Sequence, residues 1–238
     1  MMTPQAKPGS KTVGVLGGMG PYAAAAFFKL LLDLTPAKKE WDHLRVIIDS
    51  NPHIPSRTRH LLYGETSPVE GMLESCRRLE KYPVDLIAIP CNSAAVFIPE
   101  IQPHLRVPVL NICEVTANAL AATHPSSRRV AVLGGYVTYK RQSYKPFLAK
   151  HGMEWLDHGE EIQRQVEQLI ATIKLHPAQS ANARAMEAIV ATLCKKWQAD
   201  IVILACTEFA CLSGLSLSVP SIDSTKELAQ YTVKFATP

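Results

Sequence analysis

The sequence predicts an α/β protein with parallel sheets, built from two similar halves. Two observations predict it. Short apolar, β-branched runs alternate with longer helical ones throughout the chain, which is the signature of parallel strands with helices on their faces. One pattern also occurs twice. Val13-Gly14-Val15-Leu16-Gly17-Gly18 leads, 78 residues after Val13, to Cys91 at the end of Val84–Ile89; Val130-Ala131-Val132-Leu133-Gly134-Gly135 leads, 76 residues after Val130, to Cys206 at the end of Asp200–Leu204.

The elements follow in order. Val13–Leu16 reads as a buried strand broken by Gly17-Gly18, and Pro21 stands at the first position of a helix running over Tyr22–Asp33. Leu44–Asp49 reads as the second strand. Ser67–Glu80 reads as a helix with Ser67 at the N-cap, Pro68 at N1 and Glu70 at N3. Val84–Ile89 and Val107–Ile112 are further strands. In the second half, Arg129–Leu133 is a strand, Thr138–Lys150, Glu160–Lys174 and Ala183–Trp197 are helices, and Asp200–Leu204 is a strand. Ser224–Phe235 reads as a terminal helix capped from Asp223/Ser224. The Pro- and Ser-containing stretch 121–128 marks the boundary, giving one domain over 1–120 with 224–238 and a second over 121–223.

Bulk properties exclude several classes. A chain of 238 residues that is 47% hydrophobic can bury a large core, and its length suits two halves better than one unit. The formal charge of +4 is mild, and Lys140, Arg141, Lys145 and Lys150 read as a solvated helix face rather than a nucleic-acid surface. Met1–Lys11 has no apolar core of a secretory signal, and no run approaches the ~18 apolar residues of a membrane span. A cytoplasmic location with no membrane partner is therefore expected, with the six cysteines reduced. No CxxC pair or HxxxH spacing suggests a metal site.

Cys76, Cys113, Cys194 and Cys211 read as core residues, with Cys113 the nearest to an intruder in the site. Cys91 and Cys206 are different. Each ends an apolar strand and is followed by short polar residues, Asn92-Ser93 and Thr207-Glu208, at the turn into the next helix. Ligands of open parallel sheets bind at those carboxyl ends, and a helix start favours thiolate. Two thiols suit proton transfer on opposite faces of a carbon: a thiolate removes a proton and a thiol returns one. The α-proton of an amino acid is much less acidic than a thiol, so fixed donors must stabilise the carbanion.

Arg57 lies in a stiff loop, Ser50 to Thr58, that contains two prolines, and its guanidinium matches a substrate carboxylate in a bidentate bond; Asn51 adds an amide. A competing motif, Gly14-x-x-Gly17-Gly18-x-Gly20 with Asp49 at the ribose position, is a loose dinucleotide fingerprint. Its spacing is not GxGxxG and Pro21 crowds the turn, so nucleotide binding is disfavoured.

The chain resembles the aspartate/glutamate racemase superfamily, most closely its aspartate racemase branch. The resemblance rests on Gly17-Gly18-Met19-Gly20-Pro21, Asn51-Pro52-x-Ile54-Pro55-x-Arg57-Thr58, Pro90-Cys91-Asn92-Ser93-Ala94, Val107-Pro108-Val109-Leu110, Ile173-Lys174 and Ala205-Cys206-Thr207-Glu208. It implies two Rossmann-like domains related by a pseudo-two-fold axis, with the active site in the cleft between them. It implies racemisation without pyridoxal phosphate or another cofactor, in a homodimer, on a small acidic amino acid. Residue by residue, Cys91 and Cys206 match the acid/base pair, Cys206 for the L enantiomer and Cys91 for the D. Arg57 matches the holder of the distal carboxylate and Lys174 a substrate-contacting lysine. Asn92, Ser93 and Thr207, followed by Glu208, match the residues around the α-carboxylate and α-amino group, and Gly18 and Met19 the lining loop. The chain departs from the pattern with Ser93 for threonine, Ala95 for a frequent histidine and Ala205 for glycine. The expected activity is interconversion of L- and D-aspartate, with glutamate the nearest other substrate. The rivals are a maleate isomerase-like enzyme of the same superfamily and a non-catalytic dicarboxylate-binding protein.

Overall fold

The computed structural model describes residues 10–176, 179–212 and 214–237. The chain divides into two compact units, Met1–Asn111 with Lys226–Pro238, and Ile112–Thr225.

The first unit runs β1 (Val13–Gly17), α1 (Pro21–Leu34), β2 (Val46–Ser50), α2 (Arg57–Tyr63), α3 (Val69–Leu79), β3 (Leu86–Ala88), the single turn α4 (Ile98–Ile101) and β4 (Val109–Leu110). All pairings are parallel and the strand order is β2-β1-β3-β4. Every residue of β1 is buried, as expected of a strand covered on both faces. The α1 residues Ala24, Phe27 and Leu31, at i, i+3 and i+7, form its buried face. Burying a side chain the size of Phe27 contributes roughly 1.5–3 kcal/mol. The start of α3 falls one position later than the expected Pro68, which is itself the N-cap in place of Ser67; the Ser67 Oγ, one residue before the cap, accepts the Val69 N–H.

The second unit runs α5 (Ile112–Thr123), β5 (Arg129–Gly134), α6 (Tyr136–Lys140), α7 (Lys145–Lys150), β6 (Glu154–Leu156), α8 (Gly159–Leu175), α9 (Ser180–Trp197), β7 (Ile201–Ala205) and β8 (Ser221–Asp223), and leads into α10 (Ser224–Ala236), whose main length belongs to the first unit. Its four strands are parallel in the order β6-β5-β7-β8, the same order as in the first sheet. Ile162, Val166, Leu169 and Ile173, spaced along one stripe of α8, join Met186, Ile189, Val190 and Leu193 of α9 over β5 and β7.

Several boundaries differ from the sequence reading. The division falls before α5 rather than after residue 120, because α5 packs on α7 and β8. The helix expected over 138–150 is two pieces, α6 and α7. Gln142 between them has φ 47°, and Pro146 has no N–H to continue a helix through it. Lys140 and Lys150 lie over the Tyr136 and Phe147 rings, an aromatic setting the sequence reading did not give these lysines. Asp49 accepts from Arg78 and is thus not a free ribose acceptor. The side chain of Cys211 and most of the segment Met1–Lys11 lie outside the described residues.

Candidate active site

In each sheet the chain leaves the first strand toward one side and returns on the other, so the topological switch lies between β1 and β3 in one unit and between β5 and β7 in the other. Carboxyl ends of strands at such a switch are the ligand-binding position of open α/β sheets. Cys91 follows β3 and Cys206 follows β7, each at the switch of its own sheet.

The two thiols have matching backbone settings. Cys91 (φ −154°, ψ 109°) and Cys206 (φ −144°, ψ 131°) are both the N-cap residues of 3-10 helices, 92–97 and 207–211. The Cys91 carbonyl accepts the Ala94 N–H at 3.1 Å and the Cys206 carbonyl accepts the Phe209 N–H at 3.0 Å. The expected helices after each cysteine are thus short 3-10 turns, with less aligned dipole than an α-helix.

In the first unit, Gly17 O accepts the Asn51 N–H, and Gly18 packs its Cα against the Asn51 backbone. Met19 is buried beside it. Asn51 is committed inward: its amide donates to the fully buried Ser75 hydroxyl at 3.0 Å and its Oδ1 accepts the His53 N–H at 3.1 Å. These bonds fix the loop and use one amide proton and one oxygen lone pair of the half-buried side chain. Arg57 begins α2, with its Nη1 donating to Pro55 O at 3.1 Å and Ile54 O at 3.5 Å, while its buried Nε has no partner among the described residues. Asn92 is buried and Ser93 half-buried in the turn after Cys91.

In the second unit, the Cys206 thiol donates to Glu208 Oε2 at 2.8 Å, which also accepts the Thr207 hydroxyl at 3.3 Å. Lys174 Nζ lies 3.6 Å from the other carboxylate oxygen, Oε1. Burial first, and then the adjacent Glu208 carboxylate, push the Cys206 thiol well above its ordinary range. Glu208 thus lies between the sulfur and Lys174, two of the expected site residues.

Sequence reasoning missed the polar residues beside this strand end. Gln163 of α8 donates to Gly134 O at 2.9 Å and to Glu167 Oε1 at 3.1 Å, and its Oε1 pairs with His158 Nε2 at 3.1 Å. The available signal was a glutamine next to Ile162, inside the otherwise apolar stripe of α8. Among the described residues, no group of three or more metal-binding side chains is present, and no helix is long and apolar enough to cross a membrane.

The profile of the Asp/Glu/hydantoin racemase family matches residues 16–232. The broad-specificity amino-acid racemase RacX of Bacillus subtilis is 35% identical over 228 residues, covering 93% of this chain and 96% of the relative. The aspartate racemase of Picrophilus torridus superposes with a TM-score of 0.79 at 27% identity, covering 95% of this chain and 94% of that one. A glutamate racemase of Bacillus anthracis, at 20% identity and a TM-score of 0.63, covers 94% of this chain and 80% of its own and shares the fold. The chain belongs to the Asp/Glu/hydantoin racemase family. It is an isomerase, an amino-acid racemase.

Proposed function

We propose that this racemase interconverts L- and D-aspartate, with glutamate the nearest other substrate, by a two-cysteine transfer that uses no cofactor. The observation that carries the reading is the duplicated setting of Cys91 and Cys206, each an N-cap residue at the switch point of its own sheet. One sulfur, as thiolate, removes the α-proton and the other, as thiol, delivers one to the opposite face, so the two thiols exchange protonation states in each turnover. Burial and Glu208 favour the protonated form of Cys206, the form that donates when Cys91 takes the proton of the D enantiomer; in the L-to-D direction Cys206 is the thiolate and Cys91 the donor. Asn92, Ser93 and Thr207 supply polar contacts to the α-carboxylate and α-amino groups. Arg57 favours an acidic side chain: its guanidinium is anchored by two loop carbonyls, which leaves donors for a distal carboxylate. This acidic preference agrees with the Picrophilus relative and narrows the breadth named for the Bacillus one. We place the enzyme in the cytoplasm as a homodimer.

The test is proton NMR of L- and D-aspartate, and of both glutamates, in D₂O with the protein and nothing else added. Loss of the α-proton signal with formation of the opposite enantiomer is expected for aspartate in both directions. Absence of exchange with all four acids, or full racemisation by Cys91→Ala or Cys206→Ala, overturns the reading.

A further inference from the structure

The second unit contains a buried polar chain that the proton transfer itself does not use. His158 and Gln163 are each 1% exposed. Gln163 uses its whole amide here: Oε1 pairs with His158 Nε2, while Nε2 donates to Gly134 O and to Glu167 Oε1. The Glu167 carboxyl in turn accepts the Tyr136 N–H. Gln163 and Glu167 are four residues apart and so neighbours on one helix face. Together they grip both sides of the turn Gly134-Gly135-Tyr136, one through a carbonyl and the other through an amide.

That turn is in direct contact with the strand that carries Cys206. Gly134 is in register with Ala205, the residue before the cysteine. The approach is close enough that a Cβ on Gly134 would stand 2.8 Å from Ala205 O and 3.1 Å from Ala205 Cβ. Any displacement of the turn is therefore passed to the backbone that aims the Cys206 sulfur. The corresponding turn of the first unit is held by backbone instead, with Gly17 O accepting the Asn51 N–H.

We propose that His158, Gln163 and Glu167 are positioning residues for Cys206, acting through the Gly134–Tyr136 turn. The proposal rests on the acid/base assignment of Cys206. A buried glutamine in an apolar stripe costs stability unless its polar atoms are partnered, and all three of its partners are in place. His158 stands at the far end, with the Tyr139 ring packed against it at a tilt of 35° and 5.0 Å between ring centroids. A role confined to stability would leave both cysteines equally affected when the network is cut; a positioning role affects one.

The experiment is iodoacetamide alkylation of the folded protein, followed peptide by peptide so that Cys206 and Cys91 are read in the same sample. Glu167→Gln, a mild change at a half-buried position, and Gln163→Met, which removes the clamp and keeps the length, are compared with wild type. The expected result is a change in the Cys206 rate of roughly tenfold or more, since misplacement near an ångström is worth up to about a hundredfold, with the Cys91 rate unchanged. In the racemisation assay the same variants lower kcat and leave KM within about twofold, because the network touches no substrate. Equal rates for Cys206 in wild type and Glu167→Gln overturn the proposal and leave the racemase reading standing, as does a parallel change at both cysteines. If Gln163→Met does not fold, Glu167→Gln alone decides.

Discussion

Replacing Gly18 with alanine measures how tightly the loops of the first unit interlock. Gly18 has φ +90°, and a Cβ there would lie 2.3 Å from the Asn51 carbonyl carbon and 2.4 Å from its oxygen. Both are backbone atoms. Asn51 cannot swing aside, because its side chain is held by Ser75 and by the His53 N–H. Opening that 2.3 Å contact to the roughly 3.0 Å below which Cβ contacts are essentially never found requires a relative shift of about 0.7 Å. The strained φ costs an alanine about 1–3 kcal/mol and the overpacking roughly another 1–3, so the expected loss is about 2–6 kcal/mol. The entropy gain usual for Gly→Ala does not offset this, since it needs a backbone conformation alanine can adopt. The shift passes along the loop from Asn51 to Arg57. A shift of that size is expected to reduce kcat/KM for aspartate by on the order of tenfold to a hundredfold. Urea unfolding followed by tryptophan fluorescence gives the first quantity and racemisation kinetics the second. Stability within about 0.5 kcal/mol of wild type, together with an unchanged KM, would refute the interlock.

Two further outcomes are expected. Glu208→Gln removes the negative charge hydrogen-bonded to Cys206, so the thiol should ionise at lower pH than in wild type, though burial still holds it up; the midpoint of Cys206 alkylation against pH reads this, and a midpoint that stays or rises contradicts the charge effect. His158 is pushed below its ordinary range chiefly by burial, against the pull of Gln163, Asp157 and Glu160. A histidine depressed in the folded state contributes stability above its unfolded pKa of about 6.5 and loses it as pH falls below that value. Wild type should therefore lose more unfolding free energy between pH 7.5 and 5.5 than His158→Gln does, and equal losses would show that burial does not depress His158 in the fold.

The strands and most helices were legible because their apolar runs are long and end on residues with local chemistry. Gly17 ends β1, Pro21 starts α1, and the Asp223 carboxylate accepts the Thr225 N–H at the start of α10. β6 and β8 were not legible: Glu154-Trp155-Leu156 and Ser221-Ile222-Asp223 are too short for a period of two to stand out. Cys91, Cys206 and Arg57 were legible as candidates for chemistry because cysteine at a strand end and arginine beside prolines have few structural reasons to be there. The inward commitment of Asn51 was not, since the amide could serve a ligand or Ser75 equally until the position of α3 is known. Gln163 and Glu167 act through the backbone of a turn thirty residues earlier, and nothing in their own neighbourhood announces it.

Under the proposed two-cysteine transfer, the duplicated topology supplies two like thiol settings and its divergence makes them unlike. Equal strand order and equal N-cap geometry give the two sulfurs equivalent places. A two-base transfer, however, requires one thiol and one thiolate at the outset. The residue two positions after each cysteine supplies the difference: Ser93 after Cys91, Glu208 after Cys206. The carboxylate makes a 2.8 Å hydrogen bond to Cys206 and favours its protonated form, whereas no carboxylate bonds to Cys91 among the described residues. Lys174 at 3.6 Å limits how far that bias goes by partly neutralising Glu208. A serine in place of Glu208 would remove that carboxylate and leave the same residue type two positions after each cysteine. In the proposed two-cysteine transfer, the Glu208 carboxylate beside Cys206 is thus the difference between two otherwise matching thiol settings.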